Sequence, residues 1–107
     1  MNKKINVAII GSGSGARAFA VYLCKKGYSV NLIYRTFSKI KEIHRSKSII
    51  SQGEINDHFS LNRVTRNYKK GIQNAHIILY VVPASAHYNI TQKLLPYLKP
   101  GQIILLN

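Results

Sequence analysis

Residues 11–16 read Gly-Ser-Gly-Ser-Gly-Ala and follow directly on an apolar run, Val7, Ala8, Ile9 and Ile10. Gly11 permits a tight turn out of a strand. Gly13 lets a backbone approach a pyrophosphate with no Cβ in the way. Ala16 stands where a small residue lets the next helix pack close to the sheet. The free amides of that helix's first turn then point at phosphate oxygens, and the helix dipole favours their charge. The spacing alone is weak. Its setting, a buried strand before and an amphipathic helix after, is the context that makes it a dinucleotide site. Gly11, Ser12, Gly13, Ser14, Gly15 and Ala16 are therefore candidate cofactor-binding residues. Arg17 either leans toward a cofactor phosphate or is a solvated surface cation.

A second candidate set lies about twenty residues further on. An acid there would accept hydrogen bonds from the adenosine ribose hydroxyls and favour NAD. The sequence instead offers Tyr34, Arg35, Thr36, Phe37, Ser38 and Lys39. Arg35 can reach a 2′-phosphate with its fork of donors. Tyr34, Ser38 and Lys39 complete that pocket, and the expected cofactor is NADP, with NAD as the alternative. A third set is Val82, Pro83 and Ala84 at the end of a later strand, where an open α/β sheet places its ligand. His87 follows in the first turn of the next helix. It is either a contact to the nicotinamide or substrate, or an ordinary helix-start histidine. His44, His58 and His76 show no metal-ligand spacing, so no metal is expected. No paired carboxylates and no Ser-His-Asp set are visible, so no catalytic residue is assigned.

Elements to position these residues can be read from periodicity. Residues 5–10 form a short apolar run suited to a strand buried on both faces. Residues 14–26 are helical, with Ala16, Phe19, Ala20, Leu23 and Cys24 on one face and a stop at Gly27. A second strand over 29–34 completes a βαβ unit. Residues 38–45 predict a short helix, 58–64 a third strand and 67–74 another short helix. Residues 77–82 are the clearest buried strand, stopped by Pro83. A helix follows over 85–98, loosened at its end by Pro96, and a last strand runs over 103–106. Residues 46–58 are polar and give no clear assignment. The expected fold is a single α/β domain over 1–107, a Rossmann-type open parallel sheet with helices on both faces.

Composition narrows the class. The 107 residues fit one domain. Sixteen Lys and Arg stand against three acids, a formal net charge of +13. The cations are scattered singly or in pairs, with no arginine-rich arm. An anionic cofactor and a lysine-rich background explain this better than a nucleic-acid partner, although a basic nucleic-acid module stays a rival. No apolar run is long enough to span a membrane, and no secretory leader is visible. The expected location is cytoplasmic. Cys24 is the one cysteine, so no internal disulfide can form.

Together these segments resemble the N-terminal domain of the octopine/nopaline (opine) dehydrogenase family. They resemble a little less closely that of NAD-dependent glycerol-3-phosphate dehydrogenase. The resemblance rests on residues 7–20, on Val82, Pro83, Ala84, Ser85, Ala86 and His87, and on residues 95–107. Three positions depart from the family pattern. Ala16 stands where opine dehydrogenases usually carry glycine, Ser14 where asparagine is usual, and His76 where aspartate is common. The resemblance implies an NAD(P)-dependent oxidoreductase. Its reductive condensation needs a helical second domain that supplies the catalytic histidine and aspartate and binds the keto acid and amino acid. That catalytic domain is expected to be absent from this chain, which on its own is expected to bind cofactor without turnover. A hydroxyacid reductase and a non-catalytic dinucleotide sensor are the other readings.

Overall fold

A computed structural model of the chain describes residues 4–11, 13–35, 48–50 and 58–107, with backbone alone described at 48–50 and 58. Five strands form one parallel sheet: β1 (Asn6–Ile10), β2 (Ser29–Ile33), β5 (Arg63–Thr65), β6 (Ile77–Tyr80) and β7 (Ile103–Leu106). Their order is β5-β2-β1-β6-β7. This is the Rossmann order, and the direction of strand addition reverses between β1 and β6. The expected fold class is therefore the observed one.

Each inner strand is buried on both faces because alternate residues feed two cores. Val7 and Ile9 of β1, with Val30 and Leu32 of β2, pack under Ala16 and Ala20 of helix α1 (Ser14–Lys25). Ala8 and Ile10 face the other way, with Ile33, Ile78, Tyr80, and Ile72 of helix α2 (Tyr68–Ile72). Ile90 and Leu94 of helix α3 (His87–Leu94) close that second core. Runs such as Val-Ala-Ile-Ile thus need no polar alternation.

Local chemistry sets the helix ends. The Tyr28 amide donates to the Leu23 carbonyl at 3.0 Å and the Gly27 amide to that of Cys24 at 3.0 Å. This double closure needs a left-handed residue, and Gly27 supplies it with φ +91°. At α2, the Asn67 side chain accepts from the Lys70 amide at 2.9 Å, an N-cap of the usual kind. The helix expected over 85–98 is divided. Residues Ala84–Ala86 and Leu95–Tyr97 are 3-10 turns flanking α3. Pro96 has no amide hydrogen for a continued ladder, which accounts for the second turn.

One expectation is corrected. The strand predicted over 58–64 is two elements. His58–Ser60 forms β4, antiparallel to β3 (Ser48–Ile50) in a separate two-stranded sheet. Only Arg63–Thr65 enters the main sheet, beside β2. A single alternating run cannot reveal such a break. The Asn62 amide donates to the Val30 carbonyl at 2.8 Å, which fixes the point of entry. The helix expected over 38–45 lies outside the described residues.

Two polar links tie the layers. Asn31, 7% exposed, donates to the Gly71 carbonyl at 2.9 Å and accepts from Asn62 Nδ2 at 2.8 Å. Gln102 donates to the carbonyls of Ile72 at 2.7 Å and Ala75 at 3.0 Å, and accepts from the Lys99 amide at 2.9 Å. Every buried polar atom so paired avoids a desolvation cost of about 1–3 kcal/mol. Among the described residues, the cover on the α1 side of the sheet is incomplete. Ile103 and Leu105 of β7 are 55% and 47% exposed, next to the half-buried Ile77 and Leu79 of β6.

Candidate functional site

The glycine turn is clamped between two strand ends. Past the end of β1, the Gly11 amide donates to the Ile33 carbonyl at 2.9 Å, and the Val81 amide donates to that of Ile10 at 2.9 Å. The turn therefore sits at the switch in strand order, on the carboxyl side of the sheet. Gly11 has φ +149°, and a Cβ there would overlap the Val81 carbonyl oxygen. Ala16 is fully buried beneath it. Gly15 runs past Val81 at the distance where an added Cβ would lie 3.3 Å from Cγ1. Gly13 differs: its backbone is extended, at φ −79° and ψ −177°, and a Cβ would meet nothing within 4 Å.

That open space stands over the start of α1. Gly13 is the helix N-cap and offers no side chain to the first-turn amides, and the first turn carries no acid. The Arg17 amide closes the first helical bond on the Gly13 carbonyl at 3.1 Å. Its side-chain Nε is buried and has no hydrogen-bond partner among the described residues. Free amides, a positive dipole end and room above Gly13 fit the pyrophosphate of a dinucleotide. Ser14 and Gly15 are exposed on that turn. Ser12 lies outside the described residues.

At the end of β2 the two adjacent candidates separate. Tyr34 turns into the α1-side core and is 6% exposed. Arg35, the next residue, is exposed. The alternation of a strand sends neighbours to opposite faces, so Arg35 lies toward α2. Burial pushes the Tyr68 phenol of α2 up, against the opposing pull of the Arg35 charge, with Tyr80 adding to the rise. Ser38 and Lys39, expected to complete this pocket, lie outside the described residues. The three acids of the chain, Glu42, Glu54 and Asp57, lie there too.

The third set follows β6. Val82 is half-buried against the α3-side core, while Pro83 and Ala84 are exposed beyond the strand end. His87 begins α3, packed edge-on against Tyr80 with ring centroids 5.5 Å apart. Tyr80 is fully buried and shares a 2.8 Å hydrogen bond with the Thr91 hydroxyl. The His87 ring is held in place, and its Nε2 is buried without a partner among the described residues. The glycine turn and residues 82–87 thus converge on the switch point, with Arg35 at the β2 end of the same rim.

Other residues serve the frame. His76 Nδ1 accepts from the Asn6 amide at 2.9 Å, and the Asn6 carbonyl accepts from the His76 amide at 2.8 Å. This histidine secures the entry to β6. Cys24 is half-buried, and burial pushes its thiol up despite nearby Lys4. No group of three His, Cys, Asp or Glu comes together among the described residues as a metal site. No helix among them is long and apolar enough to cross a membrane. Val81 was not singled out in the sequence, yet its carbonyl and side chain line the back of the glycine turn. The strand-order rule held the signal, because it seats β6 beside β1.

With this geometry in place, comparison with known proteins is informative. The family model described as NAD-dependent glycerol-3-phosphate dehydrogenase N-terminus matches residues 6–106. An opine dehydrogenase of Arthrobacter sp. (strain 1C) is 36% identical over 101 residues, covering 94% of this chain and 28% of the relative. A glycerol-3-phosphate dehydrogenase [NAD(P)+] of Syntrophobacter fumaroxidans is 24% identical over 106 residues, covering 92% and 29%. Among solved structures, octopine dehydrogenase in complex with NADH and agmatine superposes with a TM-score of 0.75 at 18% identity. That match covers 96% of this chain and 28% of the other, and at such identity it speaks for the fold. The chain spans less than a third of the length of these relatives.

Proposed function

The chain belongs to the family of NAD-dependent glycerol-3-phosphate dehydrogenase N-terminal domains, the NAD(P)-binding unit of opine- and glycerol-3-phosphate-dehydrogenase-like oxidoreductases, and from that premise we propose an NADP-preferring domain of an opine-dehydrogenase-like reductase. The pyrophosphate rests on Gly11, Ser12, Gly13, Ser14, Gly15 and Ala16. The ribose end lies at Arg35, with Ser38 and Lys39. The nicotinamide end lies over Val82, Pro83 and Ala84, with His87 beside it. The observation that supports the NADP preference is Arg35, exposed at the end of β2 where an acid would favour NAD.

In the whole protein the cofactor would supply a hydride to an imine formed from a keto acid and an amino acid. None of the residues assigned above is a substrate-binding group or a proton donor, and the chain spans 28% of the length of its opine dehydrogenase relative. Hydride transfer needs both held near the nicotinamide. The 107-residue chain is expected to bind cofactor without turnover, and an assay with keto acid and amino acid mixtures checks it. A free, half-buried thiol at Cys24 suits a reducing compartment, and we place the protein in the cytoplasm.

Titration of NADP and NAD into the chain at one fixed salt concentration tests this. A charge-assisted contact to the 2′-phosphate contributes about 1.5–3 kcal/mol, which favours NADP by roughly ten- to a hundredfold. Arg35→Asp should remove that preference or reverse it. Equal wild-type affinities, or tighter NAD binding, would leave a dinucleotide domain without the NADP assignment.

A further inference from the structure

At the amino ends of the sheet, the strand entries are joined by a side chain that can change its charge. His76 immediately precedes β6. Its amide donates to the Asn6 carbonyl at 2.8 Å, and the Asn6 amide donates in return to His76 Nδ1 at 2.9 Å. Asn6 Nδ2 adds a bond to the Asn74 carbonyl at 3.0 Å, and the Ile103 amide donates to the His76 carbonyl at 3.0 Å. One residue thus ties together the entries of β1, β6 and β7. A backbone amide only donates, so Nδ1 carries a bare lone pair here and the ring proton sits on Nε2. The residue is exposed, and acid in the solvent can reach it.

Protonation of Nδ1 removes this acceptor and sets two N–H groups against each other. In the folded chain only the neutral ring holds the Asn6 amide, whereas the unfolded chain solvates both forms. The stability from this bond is therefore present above the ordinary imidazole range, around pH 6.5, and lost as the pH falls below it. Among the described residues, the titratable groups nearest in sequence on the elements around this junction are Lys4 ahead of β1, Lys70 of α2, Lys99 ahead of β7, and Cys24, Lys26 and Tyr28 between α1 and β2. Lysine, tyrosine and a thiol raised by burial keep one charge state between about pH 5 and pH 8. At their other ends β1 and β6 hold the glycine turn, where the Val81 amide is bonded to the Ile10 carbonyl. We propose that His76 is an acid-sensitive latch on the β1–β6 pair, closed while its ring is neutral and released when Nδ1 takes a proton. The latch is independent of which dinucleotide the domain prefers.

The test is a set of thermal melts of the full 107-residue chain at about pH 8 and about pH 5, on either side of the imidazole range, for wild type, His76→Asn and His76→Leu. Asparagine keeps an acceptor that does not titrate, because its Oδ1 stands as many bonds from the backbone as Nδ1 does. Leucine has no acceptor. Loss of one ordinary hydrogen bond lowers Tm by about 4–8 °C in a domain of this size. On acidification, wild type should fall by about that much more than His76→Asn. On the alkaline side His76→Asn should melt within a few degrees of wild type, and His76→Leu about 4–8 °C lower. An equal acid-induced fall in wild type and His76→Asn would place the titration on another group and overturn the latch. A His76→Leu chain that melts with wild type on the alkaline side would show that the bond contributes nothing, and would overturn it too. If His76→Leu does not fold, the comparison of wild type with His76→Asn decides.

Discussion

Two glycines of one turn should respond to substitution in opposite ways. At Gly13 the backbone is extended (φ −79°, ψ −177°), and a Cβ would meet nothing within 4 Å. Valine adopts that conformation without strain. It is a poor N-cap, at a cost of about 1 kcal/mol, but removing a glycine from the unfolded chain returns about 0.4–1 kcal/mol. Gly13→Val should therefore melt within a few degrees of wild type. Its branched side chain fills the space above the first turn of α1, where the proposed pyrophosphate site lies. Affinity for either dinucleotide should fall at least about tenfold, or roughly 1.4 kcal/mol. At Gly11 the side chain would overlap the Val81 carbonyl oxygen, and φ is +149°. Backbone strain of about 1–3 kcal/mol adds to overpacking of similar size. Val81 cannot yield, because its amide is bonded to the Ile10 carbonyl. Gly11→Ala should lose about 3 kcal/mol and so on the order of 15 °C in Tm. The chain has no tryptophan, so binding is best followed through the fluorescence of the reduced cofactor, beside a thermal melt. A folded Gly13→Val that binds dinucleotide as tightly as wild type would refute the assignment of the glycine turn.

Three further outcomes follow from packing and burial. Gly71→Ala would gain about 1 kcal/mol in helix propensity, but its Cβ would overlap Cγ1 and Cδ1 of the fully buried Ile33. Overpacking of about 1–3 kcal/mol should win, and a denaturant midpoint at or above wild type would contradict it. Asn31→Ala strands the Gly71 carbonyl and Asn62 Nδ2, which should cost about 2 kcal/mol in urea unfolding. Burial raises the Cys24 thiol, so less thiolate is present at any given pH than for a free cysteine. Its alkylation by iodoacetamide at pH 8 should be slower than in the unfolded chain, and equal rates would show that the thiol is not protected.

The parts most legible in the sequence were those where one residue type has a single physical use. Gly11 through Ala16, between an apolar run and an amphipathic helix, could be read because turn, phosphate approach and close packing each demand a small residue. Gly27 and Pro96 marked ends for equally direct reasons. The break at Leu61 and Asn62 was not legible. It depends on a backbone bond from Asn62 to Val30, thirty-two positions earlier, and the alternation of 58–64 continues across it. Tyr34 shows the same limit at a site. Its side chain suits a cofactor wall, and only the phase of β2 decides that it faces the α1-side core and leaves Arg35 outside. Asn31, Gly71 and Gln102 gave no signal at all, because their partners lie on other elements and polar residues in strands or turns are common.

The uncovered face of β6 and β7 bears on how the domain behaves in bulk. Among the described residues, Ile103 and Leu105 present exposed hydrocarbon beside the β7 edge of the sheet, a surface that invites two copies to stack. The formal charge of +13 opposes that approach through mutual repulsion, which reaches across about 30 Å at 0.01 M salt and only about 3 Å at 1 M. Under the proposed cofactor site, colloidal stability and ligand recognition draw on the same cations. Salt that screens them exposes the hydrocarbon strip, whereas a polyanionic ligand neutralises only a few and leaves the repulsion largely in place.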